Sequence, residues 1–517
     1  MKHKTAQRET RRTWFGEMYS MALLIWLPLV LCNGYIYLIT GKARMFYGLT
    51  LCALAAFAVL LCHEGGLSAQ GWRMARSGRW WLLALVASFG ISTILASDRH
   101  TALWGLVGRE NGYIMLLACA GAFLFLRLTL TRRQLPKLMA VLAGTASIVA
   151  VLGWMNFFRM DPLDYYYVLA PEDRYQFLST VGNTNFFGAY VAFAAAGAAA
   201  MCIQSKDRRT QWWFGGAAAL LTSALFPAGS DGAWAAFVAA MLVLVCGKGL
   251  KQPAAVRLLA ALWGGLVLGG CGLLLGRVVP ILGQPVGVSQ LLGQPLVLLA
   301  AVLVLGALLL WMSRRPKEYS PVRLFRILAL LLVVVFVVLT VLATVTQIPL
   351  GAVGEALKLG PTWGANRGYI WKTLVGNYVQ YFSPAEKLLG VGPDGVDAVV
   401  NPKYTEYIAA YNAGVSVDSA HNIYLQMLLC GGIVGLICWC GFWAQRLWSA
   451  VRSHSLVLAP LVVYCVQAFF SIDMPAILPL AFALAAFSEL PQEEEGQAPF
   501  PAVAAALLLG VVGIFLR

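Results

Sequence analysis

Residues Leu359–Leu425 read LGPTWGANRGYIWKTLVGNYVQYFSPAEKLLGVGPDGVDAVVNPKYTEYIAAYNAGVSVDSAHNIYL. This stretch is polar, carries charges and turn residues, and ends in Asp418-Ser419-Ala420-His421-Asn422 as an apolar run begins. The segments on both sides read as membrane. The chain is 60% hydrophobic and 12% charged with a mean hydropathy of +0.74, whereas soluble domains carry about 25% charged residues. Apolar runs long enough to cross a bilayer, roughly 20 residues, recur along its length. Barrel strands would alternate instead, so the spanning solution is helical.

Candidate spans fall at 19–39, 45–62, 80–97, 112–129, 136–156, 184–203, 211–228, 232–247, 255–275, 294–312, 323–345, 422–442, 455–472, 474–490 and 499–516. The fold class is therefore an all-α polytopic membrane protein of about 14–15 transmembrane helices, with a large extracytoplasmic loop before the helix starting near Asn422. Three parts follow: an N-terminal bundle over 1–345, the loop over 346–421, and C-terminal helices over 422–517.

The net charge of +15 does not indicate nucleic acid, because the basic residues sit in short gaps between apolar runs. Arg73, Arg76 and Arg79; Arg132, Arg133 and Lys137; Lys206, Arg208 and Arg209; Lys248, Lys251 and Arg257; Arg314, Arg315, Lys317 and Arg323; and Arg446 and Arg452 mark successive cytoplasmic gaps. The basic N-terminus is then cytoplasmic and leads into a retained first helix rather than a cleaved signal. A hairpin at Ser471-Ile472-Asp473 sets the side of the C-terminus. The remaining gaps, 97–112, 156–184, 229–231, 276–295 and 347–421, lie outside. The eleven cysteines sit in or beside apolar runs and show neither zinc-site nor disulfide spacing. No nucleotide-binding fingerprint occurs, which argues against an ATP-driven pump.

Candidate chemistry gathers at the outer ends of spans. Of five histidines, His421 is the one placed at the outer mouth of a span, beside Asp418 and Asn422, and a histidine can accept a proton near neutral pH. The bland alternative is that Asp418 or Ser419 caps the helix and His421 is an early-turn residue. Arg367, in NRGYIWK, offers a rigid fork of donors for phosphate oxygens; the alternative is an interfacial anchor. Arg109, in WGLVGRENGY, sits just outside a span, where Glu110 could merely pair with it. Asn183 and Asn185 in VGNTN, and Ser230-Asp231 in SDGAW, stand at helix starts that suit both caps and anions.

In their order, VGNTN, SDGAW, NRGYIW, LLGVGPDG and DSAHNIYLQMLLCGGIVGL resemble the O-antigen ligase and O-antigen polymerase superfamily of bacterial membrane glycosyltransferases, over roughly residues 100–445. The resemblance implies transfer of glycan from an undecaprenyl-diphosphate carrier to an acceptor, either a glycan or a lipid, at the outer face of the cytoplasmic membrane. It implies no cofactor and no metal. His421 then activates the acceptor hydroxyl, with Asp418 as its orienting partner, and Arg367 holds the donor diphosphate. Position adds Arg109, Asn422, Asn183 and Asn185 as substrate ligands. Many members carry an arginine where this chain has Asp231, which cannot clamp phosphate, so the diphosphate falls to Arg367, Arg109 or Arg277. The rival is a flippase for lipid-linked oligosaccharide, which would carry charges inside its spans; here the polar residues gather at span ends. A peptidoglycan-type polymerase ranks lower, because its chemistry is built on an outer-loop acid.

Overall fold

The computed structural model describes residues 2–31, 35, 37–64, 79–247, 249–346, 354, 357–400 and 417–490. In chain order the helices are α1 (Lys2–Leu29), α2 (Leu38–Glu64), α3 (Arg79–Leu95), α4 (Arg99–Trp104), α5 (Tyr113–Thr129), α6 (Leu135–Phe157), α7 (Thr184–Gln204), α8 (Arg208–Ser223), α9 (Leu225–Ala228), α10 (Asp231–Cys246), α11 (Gln252–Leu275), α12 (Gly287–Leu292), α13 (Pro295–Ser313), α14 (Val322–Val345), α15 (Trp363–Tyr381), α16 (Pro384–Leu389), α17 (Ile423–Arg452), α18 (Leu458–Gln467) and α19 (Leu478–Phe487). The only described strands are β1 (Phe177–Leu178) and β2 (Gly182–Asn183), paired antiparallel. Every expected span from 19–39 to 474–490 carries a helix. The span at 499–516, Arg73, Arg76 and Lys248 lie outside the described residues. Seven described helices are long and apolar enough to cross a membrane. The protein is an all-α polytopic membrane protein.

The first span differs from expectation. α1 contains Pro28 and ends at Leu29, where 19–39 was expected to run on. Proline removes a donor and clashes with the preceding turn. The carbonyls of Leu27, Pro28 and Val30 instead accept from the buried Lys42 ammonium at 2.6, 3.1 and 3.1 Å.

α7 is the central column. It is rich in alanine, and its side chains are buried from Phe186 to Cys202. Helices α6, α8, α10 and α18 pack around it. Small residues allow this close approach, as is usual where lipid supplies no hydrophobic drive between helices. A Cβ on Gly188 would lie 3.0 Å from Ala233 Cβ, and one on Gly153 would fall 2.3 Å from the Phe187 ring. By contrast, α14 turns Leu330, Val333, Val335 and Val337 outward, the arrangement of a lipid-facing helix.

Contacts sort the connections to two ends of the bundle. At one end Leu282 N donates to Phe157 O at 2.8 Å, Arg159 Nε to Ile281 O at 2.7 Å, Val288 N to Asp231 and Asn111 to Asp473. These residues belong to the gaps expected outside, and to the hairpin around Asp473. At the other end Gln252 N donates to Tyr319 O at 2.8 Å, Arg257 Nε to Cys202 O at 3.0 Å and Arg132 Nε to Leu490 O at 2.9 Å.

Residues 363–389 of the opening stretch are largely helical rather than open loop, and 401–416 lie outside the described residues. α15 buries Tyr369, Ile370, Thr373, Leu374 and Asn377. Ser383 caps α16 with Glu386 completing the reciprocal capping box. The turn Leu388–Gly392 then docks on a break in α17 at Gly432, which has φ 64 and ψ −168. That break leaves carbonyls without helical donors. Val391 N donates to Leu429 O at 3.0 Å and Gly392 N to Cys430 O at 3.1 Å, while Ser92 Oγ donates to Cys430 O at 2.5 Å. The approach is possible only without side chains. A Cβ on Gly390 would sit 2.1 Å from Cys430 O, and one on Gly432 2.2 Å from Leu388 O, and both glycines have positive φ.

Gly390→Ala and Gly432→Ala are each expected to destabilise the folded protein by about 2–4 kcal/mol, combining left-handed strain with overpacking. Gly216→Ala, in a helix with nothing within 4 Å of the added carbon, is the control and should leave stability unchanged or raised. Thermal unfolding in detergent micelles checks this: equal behaviour of the three variants would refute the docking account.

Candidate active site

The docked turn delivers Asp394 to the hairpin-like segment 105–112. This segment is pinched at its base, where Gly105 (φ 91) and Gly112 lie against each other's backbone. Asp394 Oδ2 accepts from Leu106 N at 3.1 Å and Asn111 N at 3.2 Å. Burial pushes the Asp394 carboxyl up from its ordinary range, and these two N–H donors, with Arg109, pull it back. Asn111 Nδ2 reaches on to the carbonyl of Asp473. The Asp473 carboxylate accepts from Tyr464 OH at 2.9 Å, and burial raises its pKa to about 7.

Held this way, Arg109 points at Asp418. Its Nε and Nη2 donate to Asp418 Oδ2 at 3.1 and 2.5 Å. Asp418 was expected to orient His421; its hydrogen-bond partner here is Arg109, and it reaches His421 through charge. The helix cap also differs from expectation. Asn422, rather than Asp418 or Ser419, caps α17, with Oδ1 accepting from Leu425 N at 3.1 Å.

His421 has φ 46, an uncommon left-handed conformation. Neighbouring bonds fix it: Ala420 N donates to Gln426 Oε1 at 2.9 Å, Ile423 N to Ala468 O at 2.7 Å, and Trp371 Nε1 to Ala420 O at 2.9 Å. The last bond brings Arg367 into the site, because residues four apart share a helix face and Trp371 is anchored beside His421. Burial pulls the His421 pKa down to about 4, aided by Arg109 and then Arg367, with Asp418 opposing. The imidazole is neutral at pH 7.

Arg367 opens the regular part of α15, directly after Gly364, Ala365 and Asn366, which are all left-handed. Its Nη1 donates to Gly364 O at 2.5 Å, and its buried Nε has no partner among the described residues. Burial lowers its pKa and the Asp231 carboxylate opposes this. Asp231, which the sequence marks as unable to clamp phosphate, thus acts on Arg367 through charge. It also accepts from Val288 N at 2.7 Å, and a Cβ on Gly287 (φ 56) would lie 2.0 Å from its Oδ1. Asn183 caps α7 by accepting from Asn185 N at 2.9 Å, and Asn185 Oδ1 accepts from Ser230 Oγ at 2.9 Å. Arg277 is turned to Gly293 O at 2.9 Å.

Asp394 and Asn111 are not singled out by the sequence, and Ser419 and Asp473 read there only as a candidate cap and as part of a hairpin. They line a cavity of about 60 Å³ together with Arg109 and, deeper, Phe89, Met115, Ile423 and Trp439. Asn111 Oδ1 and Ser419 Oγ are buried there without described partners, which suits a bridging water. The Pro393-Asp394-Gly395 turn was the visible signal for Asp394; nothing local marks the others. Among the described residues, no group of three or more His, Cys, Asp or Glu is placed to hold a metal.

With this geometry in hand, the fold and site define a multi-pass membrane protein with a charged site at one end of its bundle. Residues 290–440 match the O-antigen ligase family, so the resemblance drawn from the sequence is supported over that segment. The match takes in Arg367, Asp394, Asp418 and His421 and leaves out Arg109, Asn183 and Asn185. It supports a glycan-transferring enzyme of the bacterial inner membrane. No curated protein matches the chain.

Asp394→Ala is expected to release segment 105–112, since two hydrogen bonds to a charged acceptor contribute about 1.5–3 kcal/mol each. Amide exchange at Leu106 and Asn111 should accelerate at least tenfold, read by mass spectrometry, with exchange in α7 unchanged. Unaltered protection at both amides would refute the anchoring role.

Proposed function

We propose that the protein transfers or polymerises glycan from an undecaprenyl-diphosphate carrier onto an acceptor hydroxyl at the outer face of the cytoplasmic membrane. The observation that carries this reading is the convergence of Arg109, Arg367 and Asp418 on a neutral His421 at the start of α17. The acceptor oxygen attacks the anomeric carbon, the bond from that carbon to the diphosphate oxygen breaks, and His421 takes the acceptor proton. The displacement inverts the anomeric centre.

The diphosphate is a good leaving group, so the protein mainly stabilises developing negative charge. Arg367 supplies this through its unpartnered Nε, and Arg109 through the donors that Asp418 keeps aimed. The Nδ2 groups of Asn183 and Asn185 are assigned to glycan oxygens, because their Oδ1 atoms are already occupied. Asn422 fixes the helix start beneath the base. Donor binding also tunes that base: the diphosphate offsets the two arginines that depress His421, and its basicity rises when the substrate is in place.

The domain reading follows. Segment 346–421 supplies Arg367 and Asp418 and ends on His421, the bundle over 1–345 supplies Arg109 and the α7 start, and the helices over 422–517 begin with the Asn422 cap beside His421. The positive-inside pattern supports a cytoplasmic N-terminus.

His421→Ala should lower transfer by about 10²–10⁴-fold, and Arg367→Ala by about 10²–10³-fold, measured with purified protein and carrier-linked oligosaccharide. Sizing the product distinguishes a ladder, which means polymerisation, from one added block, which means ligation. Carrier translocation in liposomes with no new glycosidic bond would instead favour the flippase. The pH profile offers a separate check. Since the base must be unprotonated, kcat/KM should hold as pH falls from 7 and drop only as pH approaches the His421 pKa of about 4. An acid limb centred near 6.5 would refute a buried, arginine-flanked base.

A further inference from the structure

The opposite end of the bundle holds a second concentration of charge that the transfer reading does not use. Arg127 lies near the last turn of α5 and Arg446 near that of α17, and both side chains are 1% exposed. α5 begins beside the candidate site at Gly112 and Tyr113. At about 1.5 Å rise per residue, Arg127 is roughly 20 Å further along the helix. The two guanidiniums converge: their central carbons lie 5.5 and 5.7 Å from the centre of the Phe123 ring. Glu489 bridges them, with Oε2 at 3.5 Å from Arg127 Nη2 and 3.7 Å from Arg446 Nη1.

That carboxylate does not satisfy them. Nε and Nη1 of both arginines are buried and have no hydrogen-bond partner among the described residues. Two cations share one bridging anion in a region where unpaired charge is costly. Unsatisfied donors on a buried guanidinium call for acceptor oxygens, and a fork of N–H groups matches phosphate best. The approach is open on one side, because Glu489 touches both guanidiniums and is itself 42% exposed. Arg132, in a gap that the charge pattern places at the cytoplasmic boundary, reaches the residue after Glu489. Arg132 holds Leu490 O at 2.9 Å, and Ser449 Oγ donates to Glu489 Oε2 at 3.4 Å, so Glu489 is stationed over the pair.

We propose that Arg127 and Arg446 form a phosphate-binding site for an anionic lipid headgroup in the leaflet opposite the candidate active site, with Glu489 holding the place and giving way when the phosphate arrives. The site is independent of the transfer chemistry.

The test uses the full chain in phosphatidylcholine nanodiscs. Thermal unfolding should shift upward and saturate as phosphatidylglycerol is added. Inorganic phosphate alone distinguishes the source: no shift identifies the lipid, and an equal shift identifies a free anion and overturns the lipid assignment. Glu489→Gln, at a half-exposed side chain, removes the competitor and should lower the midpoint lipid concentration by roughly tenfold, whereas Arg446→Gln should raise it by a similar factor. His421→Ala should leave the lipid response intact. No response to either anion would overturn the site, as would loss of the response in Glu489→Gln. A lipid effect seen only after Glu493, Glu494 and Glu495 are changed to Gln would overturn it in favour of an intramolecular acid.

Discussion

Two backbone hydrogen bonds organise the candidate active site: Val391 N to Leu429 O and Gly392 N to Cys430 O. A membrane helix ordinarily keeps its carbonyls for itself, since lipid offers no replacement donors. α17 gives up this protection at Gly432, and the freed carbonyls become a socket for the turn that follows α16. From there each contact sets up the next. The turn carries Asp394, Asp394 holds the segment bearing Arg109, and Arg109 pairs with Asp418, three residues before His421. A helix break two turns inside α17 thus determines where a charged group from α5's leading segment comes to rest.

The same arrangement governs the electrostatics. His421 is neutral because it is partly withdrawn from water and because two arginines stand near it. Arg109 is paired with Asp418, and Asp231 acts on Arg367 through charge alone. Arg109 thus carries a paired charge, while the buried Nε of Arg367 has no partner among the described residues. Asp231 has a second duty, receiving Val288 N across a glycine that leaves room for its carboxylate.

Segments 105–112, 229–231 and 287–288, the start of α15, and residues 418–422 meet at one end of a bundle whose centre is the alanine-rich α7. That helix is rich in alanine and buried from Phe186 to Cys202, which keeps the surrounding helices close and their ends in a fixed pattern. The opposite end repeats the theme of buried arginine with different partners, Arg127 and Arg446 over Phe123. Both ends hold guanidinium groups largely withdrawn from solvent.

Much of this was legible in the sequence, for physical reasons. Lipid demands long apolar helices, so the spans announce themselves, and the basic gaps sort the connections to two faces. Short polar runs at span ends marked Arg109, Arg367, Asp418 and His421, because charge is tolerated there and little else explains it. The end of the first helix at Leu29 was missed, since hydropathy continues through Pro28 and only the Lys42 contacts show where its carbonyls turn. Nor could local pattern show that Asp418 serves Arg109, that Asn422 is the cap, or that Asp394, Asn111 and Asp473 share a cavity. The Arg109–Asp418 and Asn111–Asp394 pairings join residues 309 and 283 positions apart, and they exist only once the glycine turn docks on the broken helix. The sequence alone determined a membrane bundle with its polar chemistry at helix ends; tertiary packing decided which of those groups face one another, because side-chain partnership depends on how helix ends are brought together and not on order along the chain.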